Sequence, residues 1–307
     1  MNAQDISALT VWQLARPGAL WVTVTACMLG FASAAACGVD PDWAGALATL
    51  LLATSFHAAA NMLQENDTAP ASTPALAPAA LASFTGGLGL VQQGKVNLKD
   101  VHQVAWAVLA LTLLAGTLLA LKTGGGLMLL GLAGLALVWT YASPPWRLAS
   151  HGLGEVLAAL AWWLVVLGAD YVWRRHFFLI PAVNAASFAL LMANLHLASS
   201  FATAEADRAA ARHSLRVRLG LRWAAALYWL LLTLAYVWLA GGVLALYQPT
   251  PALWALVSVP FSVLAGVLLW RTGSTPAGVP WAVGLSITAA VLHALVMAAG
   301  LVSLRML

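Results

Sequence analysis

The chain has 307 residues, of which 62% are hydrophobic and 8% charged, with a formal net charge of +4. A soluble domain carries about a quarter charged residues, so this chain cannot cover a water-facing surface. Its basic residues sit in a few loops and form no basic domain, which argues against nucleic-acid binding and leaves the charge as a topology signal.

A membrane-crossing helix needs about 20 apolar residues, and a helix satisfies its own backbone in lipid. Such runs recur along the chain, which reads as an all-α integral membrane protein. Nine spans fit, at about 18–37, 42–62, 103–121, 125–142, 154–173, 177–199, 222–246, 251–270 and 281–303. Residues 1–16 hold Asp5 and a late Arg16 and lack the basic start and small-residue cleavage site of a signal peptide. Cys27 and Cys37, in or beside the first span, match no metal spacing and read as small buried packing residues. The glycines at 124–126 read as a turn. The longer connections fall at 63–102, 143–153 and 200–221, within a single domain covering 1–307.

An N-terminus in the cytoplasm places Arg16, Lys95, Lys99, Arg147, Arg208, Arg212, Arg216, Arg218, Arg222 and Arg271 inside. Lys122, Arg174, Arg175 and Arg305 then lie outside. Ten cations against four favour this orientation by the positive-inside rule. All three longer connections then face the cytoplasm of what reads as a bacterial inner-membrane protein.

Two spans leave the membrane with polar stripes. His57, Asn61, Glu65 and Thr68 share one helical face, with Asp67 beside them. His196, Ser200, Thr203 and Asp207 share another, with Glu205 pointing elsewhere. Each stripe reads as a helix end entering water or as part of a central cavity open to the cytoplasmic side, since ionisable groups at membrane depth usually face a cavity. Carboxylates there can hold Mg²⁺ and, through it, a diphosphate.

Four segments carry a resemblance: NMLQENDT at 61–68, FTGGLGLVQQGKVNLKD at 84–100, YASPPWRLASHGLGE at 141–155 and EADRAAARHSLRVRLG at 205–220. They resemble the UbiA superfamily of intramembrane prenyltransferases, most closely its dihydroxynaphthoate (menaquinone-pathway) branch. That family has nine helices, and two aspartate-rich motifs, after the second and sixth, that hold Mg²⁺ and a prenyl diphosphate. The acids here are fewer: Glu65 stands at the first expected aspartate and Thr68 at the second, while Thr203 replaces one in the second motif and Asp207 keeps its acid.

The resemblance implies Mg²⁺-dependent transfer of a prenyl group from a prenyl diphosphate to an aromatic, quinone-precursor-like acceptor. Glu65, Asp67 and Asp207 would hold the metal, and Asn61, Glu65 and Asp207 would be the catalytic set. Lys95, Arg147 and Arg212 would contact the diphosphate, with Tyr141, Thr203 and Ser200 lining the substrate site. Two alternatives stay open: a divergent member that binds an isoprenoid, quinone or other lipid or supports a partner, and a transporter sharing only the scaffold.

Other residues carry plainer expectations. Glu155 complements the dipole of the fifth span or hydrogen-bonds the loop over the cavity. Asp170 pairs with Arg174 at the opposite face. His293 reads as hydrogen-bonded between helices. Arg208, Arg212 and Arg216 follow an i, i+4 spacing and would line one face for diphosphate or lipid headgroups. Gly86 and Gly87 would bring loop backbone to a phosphate or form a plain turn.

Overall fold

The computed structural model describes residues 7–65, 90–91, 93–143, 145–209, 211–273 and 278–305. Among the described residues the regular structure is entirely helical. A short α1 (Ala8–Leu14) begins where the Ser7 hydroxyl accepts the Thr10 N–H. Pro17 then opens α2 (Pro17–Ala36), where its missing N–H costs nothing. Asp42 caps α3 (Trp43–Leu63) by accepting the Gly45 N–H at 2.8 Å. Next come α4 (Leu98–Thr123), α5 (Gly125–Ala142), α6 (Gly154–Arg174), α7 (Leu179–Ala209) and α8 (Leu215–Leu244). A 3₁₀ segment, Thr250–Ser258, runs into α9 (Val259–Thr272), and α10 (Val279–Ser303) follows.

Eight of these helical segments are long and apolar enough to cross a bilayer, and α5 is a shorter apolar helix. Together they match the nine expected spans. Gly124, with φ 130°, makes the turn between α4 and α5 in one residue.

Helices α2, α6, α7, α8 and α10 pack into the heart of the bundle around Leu29, Val166, Phe188, Leu239 and Met297. Gly30 lets α2 approach α6 closely, since a Cβ there would run into the Val166 carbonyl and Ala169. Along α4, Leu111, Leu114, Leu118 and Leu121 are exposed, as a lipid-facing surface requires.

Two polar groupings inside the bundle are paired as the sequence suggests. Asp170 accepts two hydrogen bonds from Arg174 at 2.9 Å, and Arg174 also donates to the Ser33 carbonyl. His293 is buried and hydrogen-bonded to Ser187 of α7 at 2.9 Å.

Three expectations change. The connection placed at 200–221 is mostly helix. Its Ala-rich first half continues α7 to Ala209, because Ala is the best helix former. The helix ends where Ala211 adopts φ 52°, and α8 begins at Leu215. Arg208, Arg212 and Arg216 therefore share no face: they sit on α7, in the turn and on α8. Cys37 is exposed just past the end of α2, whereas Cys27 is buried as expected.

Candidate functional site

The ends of α3, α5 and α7 and the starts of α2, α4, α6 and α8 lie at one end of the bundle, because the spans alternate in direction. The first stripe turns toward α2. The His57 ring shares a hydrogen bond with the Thr23 hydroxyl at 2.8 Å and stands edge-on to Trp162. Buried Asn61 donates its amide to the Ala15 carbonyl at 3.0 Å. Glu65 accepts from the Arg16 guanidinium at 2.8 Å. Arg16 is held at φ 57°, just before Pro17, where an ordinary helical backbone is disfavoured. His102 of α4 meets the Glu65 carbonyl at 3.1 Å. The last turn of α3 is thus tied to α1, α2 and α4.

The second stripe turns toward α5 and α6. His196 shares a 2.6 Å hydrogen bond with the Tyr141 hydroxyl. Thr203 donates to the Asp207 carboxylate at 3.2 Å. Ser200 donates to the Leu197 carbonyl of its own helix. Gly154 of α6 lies against this face, where even a Cβ would make only ordinary contact, 3.4 Å from the His196 ring.

Tyr141 is the meeting point. Glu155, Arg16, Asp207 and Arg212 all lie within electrostatic reach of its hydroxyl. Glu155 is buried in the first turn of α6 and feels Asp207. The loop above is fixed by two bonds: His213 N–H donates to the Ser150 carbonyl at 2.9 Å, and Arg218 to the His151 carbonyl at 2.7 Å. Gly152, at φ 78°, gives that loop its reversal, with no side chain to meet Arg218.

The structure therefore joins Tyr141 to His196 and Thr203 to Asp207 along α7, and ties Glu65 to Arg16. Lys95 and Arg147 are exposed and are not in this group. Thr203 is exposed and serves Asp207. Asp67, Thr68, Gly86 and Gly87 lie outside the described residues. Sequence reasoning used Arg16 only as a topology signal and did not weigh His102 or Trp162. The signal available for Arg16 was a cation directly before a proline at a span start.

Mg²⁺ takes oxygen ligands, commonly one or two carboxylates completed by phosphate oxygens and water. Among the described residues no three His, Cys, Asp or Glu side chains converge into a cage. Of the motif acids, Glu65 accepts from Arg16 and Asp207 accepts from Thr203. Two acids, Glu65 and Asp207, suit one hard cation finished by substrate oxygens better than two. A groove of about 550 Å³ lies away from this chemistry, between α8 and α9, lined by Ala226, Trp229, Val267, Trp270 and Arg271.

Comparison with known proteins adds to this geometry. No protein-family model matches the chain. A *Bacillus subtilis* 1,4-dihydroxy-2-naphthoate octaprenyltransferase is 24% identical over 166 residues, so the chain spans about half of that relative's length, with 52% of each covered. A *Synechocystis* 2-carboxy-1,4-naphthoquinone phytyltransferase is 27% identical over 248 residues, 78% of this chain and 76% of the relative. A solved UbiA homologue from *Archaeoglobus fulgidus*, bound to DMAPP and Mg²⁺, superposes with a TM-score of 0.65 over 95% of this chain and 99% of its own, at 15% identity. The chain has the fold of the solved UbiA homologue. Within that fold the resemblance to the menaquinone-pathway branch holds, because both curated relatives named above act on naphthalene-ring acceptors by name.

Proposed function

We propose that this multi-pass membrane protein transfers a prenyl group from a prenyl diphosphate to an aromatic acceptor of the dihydroxynaphthoate kind, with Mg²⁺. The carrying observation is that both polar stripes end at one end of the bundle, one tied through Glu65 to Arg16 and the other through His196 to Tyr141. We place that end at the cytoplasmic side of a bacterial inner membrane, following the distribution of cations.

Glu65, Asp67 and Asp207 would hold the metal, which when bound offsets the charge that builds on the departing diphosphate. Arg212 would bind the diphosphate oxygens. The Tyr141 ring offers its negative face to the allylic cation. Its hydroxyl is held by His196, which fixes the ring's orientation. Asn61 acts as a positioning residue, anchoring the junction that carries Arg16. The apolar walls of the bundle suit an isoprenoid tail and keep water from the cation.

A second reading is a divergent member that binds an isoprenoid or quinone without transferring it. It draws on one observation: the Glu65 carboxylate is already satisfied by Arg16. One experiment separates the two. The full chain, purified in detergent, is titrated with a non-hydrolysable farnesyl diphosphate analogue with and without Mg²⁺. It is then supplied with labelled prenyl diphosphate and 1,4-dihydroxy-2-naphthoate. The proposal expects Mg²⁺-dependent binding and a prenylated product, both lost in Glu65→Ala and Asp207→Ala. Binding without any product favours the second reading, and binding indifferent to Mg²⁺ sinks the metal–diphosphate site.

A further inference from the structure

We infer that a phosphate group binds against Arg216, where the end of α7 meets the start of α8, at a site separate from Tyr141 and His196. Arg216 is only 6% exposed. Its Nε and Nη1 groups are buried and have no hydrogen-bond partner. One face of the guanidinium lies over the Phe201 ring, 4.9 Å from its centroid. Arg208 is near enough to repel it. The three ion pairs among the described residues use Arg16, Arg174 and Arg305. A buried guanidinium without an anion is unfavourable, and a second cation beside it makes the need greater.

The donors suit phosphate. Arginine's planar fork matches phosphate oxygens in pairs. Ser214, at the N-cap of α8, makes no capping bond, and its hydroxyl is buried without a partner.

Helical spacing puts Phe201 on a different face of α7 from His196 and Asp207. Gly273, at the end of α9, backs onto the same Phe201 ring. The apolar groove between α8 and α9 ends in Arg271, two residues before that glycine. A phospholipid headgroup or a soluble phosphate would each present the required chemistry, and the groove offers room for an acyl chain only to the first.

The full chain in detergent would be tested in two arms. Native mass spectrometry would count phosphatidylglycerol retained from added lipid, and calorimetry would titrate inorganic phosphate and sodium diphosphate. The wild type should bind in at least one arm, with Arg216→Gln weaker by about tenfold or more, the scale of a charge-assisted hydrogen bond. Arg208→Gln, at an exposed position, should weaken the same arm and serves if Arg216→Gln does not fold. A change confined to the lipid arm assigns the phosphate to a headgroup, and one confined to calorimetry assigns it to a soluble ion. Wild-type protein that binds in neither arm, or folded variants that bind as the wild type does, would overturn the inference.

Discussion

The Arg16–Glu65 pair is where stability and proposed chemistry meet. The two groups are 2.8 Å apart, with 17% and 9% of their side chains exposed. An exposed pair contributes at most about 1 kcal/mol, whereas breaking a buried one costs about 3–5 kcal/mol. This partly buried, charge-assisted bond falls between them, at about 1–3 kcal/mol of coupling. A double-mutant cycle with Arg16→Gln and Glu65→Gln, read by denaturant unfolding in detergent, should return a coupling of that size. The metal response should move in opposite directions. Arg16→Gln frees a carboxylate, so the Mg²⁺ needed for half-maximal prenyl-diphosphate binding should fall about fivefold or more, a shift of roughly 1 kcal/mol. Glu65→Gln should raise it or abolish the response. Zero coupling, together with an unchanged Mg²⁺ requirement in both variants, would refute the view that Arg16 competes with metal for Glu65.

Asp170→Asn leaves the Arg174 guanidinium buried without its carboxylate, at the end of the bundle away from the site. Unfolding in detergent should show a loss of about 3–5 kcal/mol, with the prenyl transfer of the surviving folded fraction unchanged. Tyr141→Phe keeps the ring but removes its bond to His196. Stability should drop by about 1 kcal/mol, while product formation falls by a larger factor, because the ring loses its fixed orientation. Equal transfer rates for Tyr141→Phe and wild type would remove Tyr141 from the site.

The spans were legible because lipid imposes a length and a polarity on every crossing. The Asp170–Arg174 bond was legible for a related reason: partners four residues apart on one helix need no tertiary information. The polar stripes on α3 and α7 could be seen by spacing, but their partners could not. Arg16 reaches Glu65 across 49 residues of sequence, and Tyr141 reaches His196 across 55. Such meetings depend on how helices pack, which periodicity does not encode. The end of α7 was misplaced because its charged residues resemble a loop, although its alanines favour a helix. The left-handed Ala211 that stops it has no signature, since alanine rarely adopts that backbone. The same stop puts Arg216 on a different element from Arg208 and Arg212.

The Asp170–Arg174 bond also bears on how the protein enters its membrane. Both charges belong to consecutive turns of α6, so they can join as soon as that helix coils, before any neighbour arrives. A nascent α6 then offers the insertion machinery a dipole with no net charge at that point, in place of two separate ions that the bilayer would resist. The contacts with Ser33 on α2 and the burial of the pair follow later, when the helices assemble. Separating the two residues along the sequence would leave the folded contacts conceivable but would hinder their delivery, and the defect would appear as poor membrane integration of newly made chains.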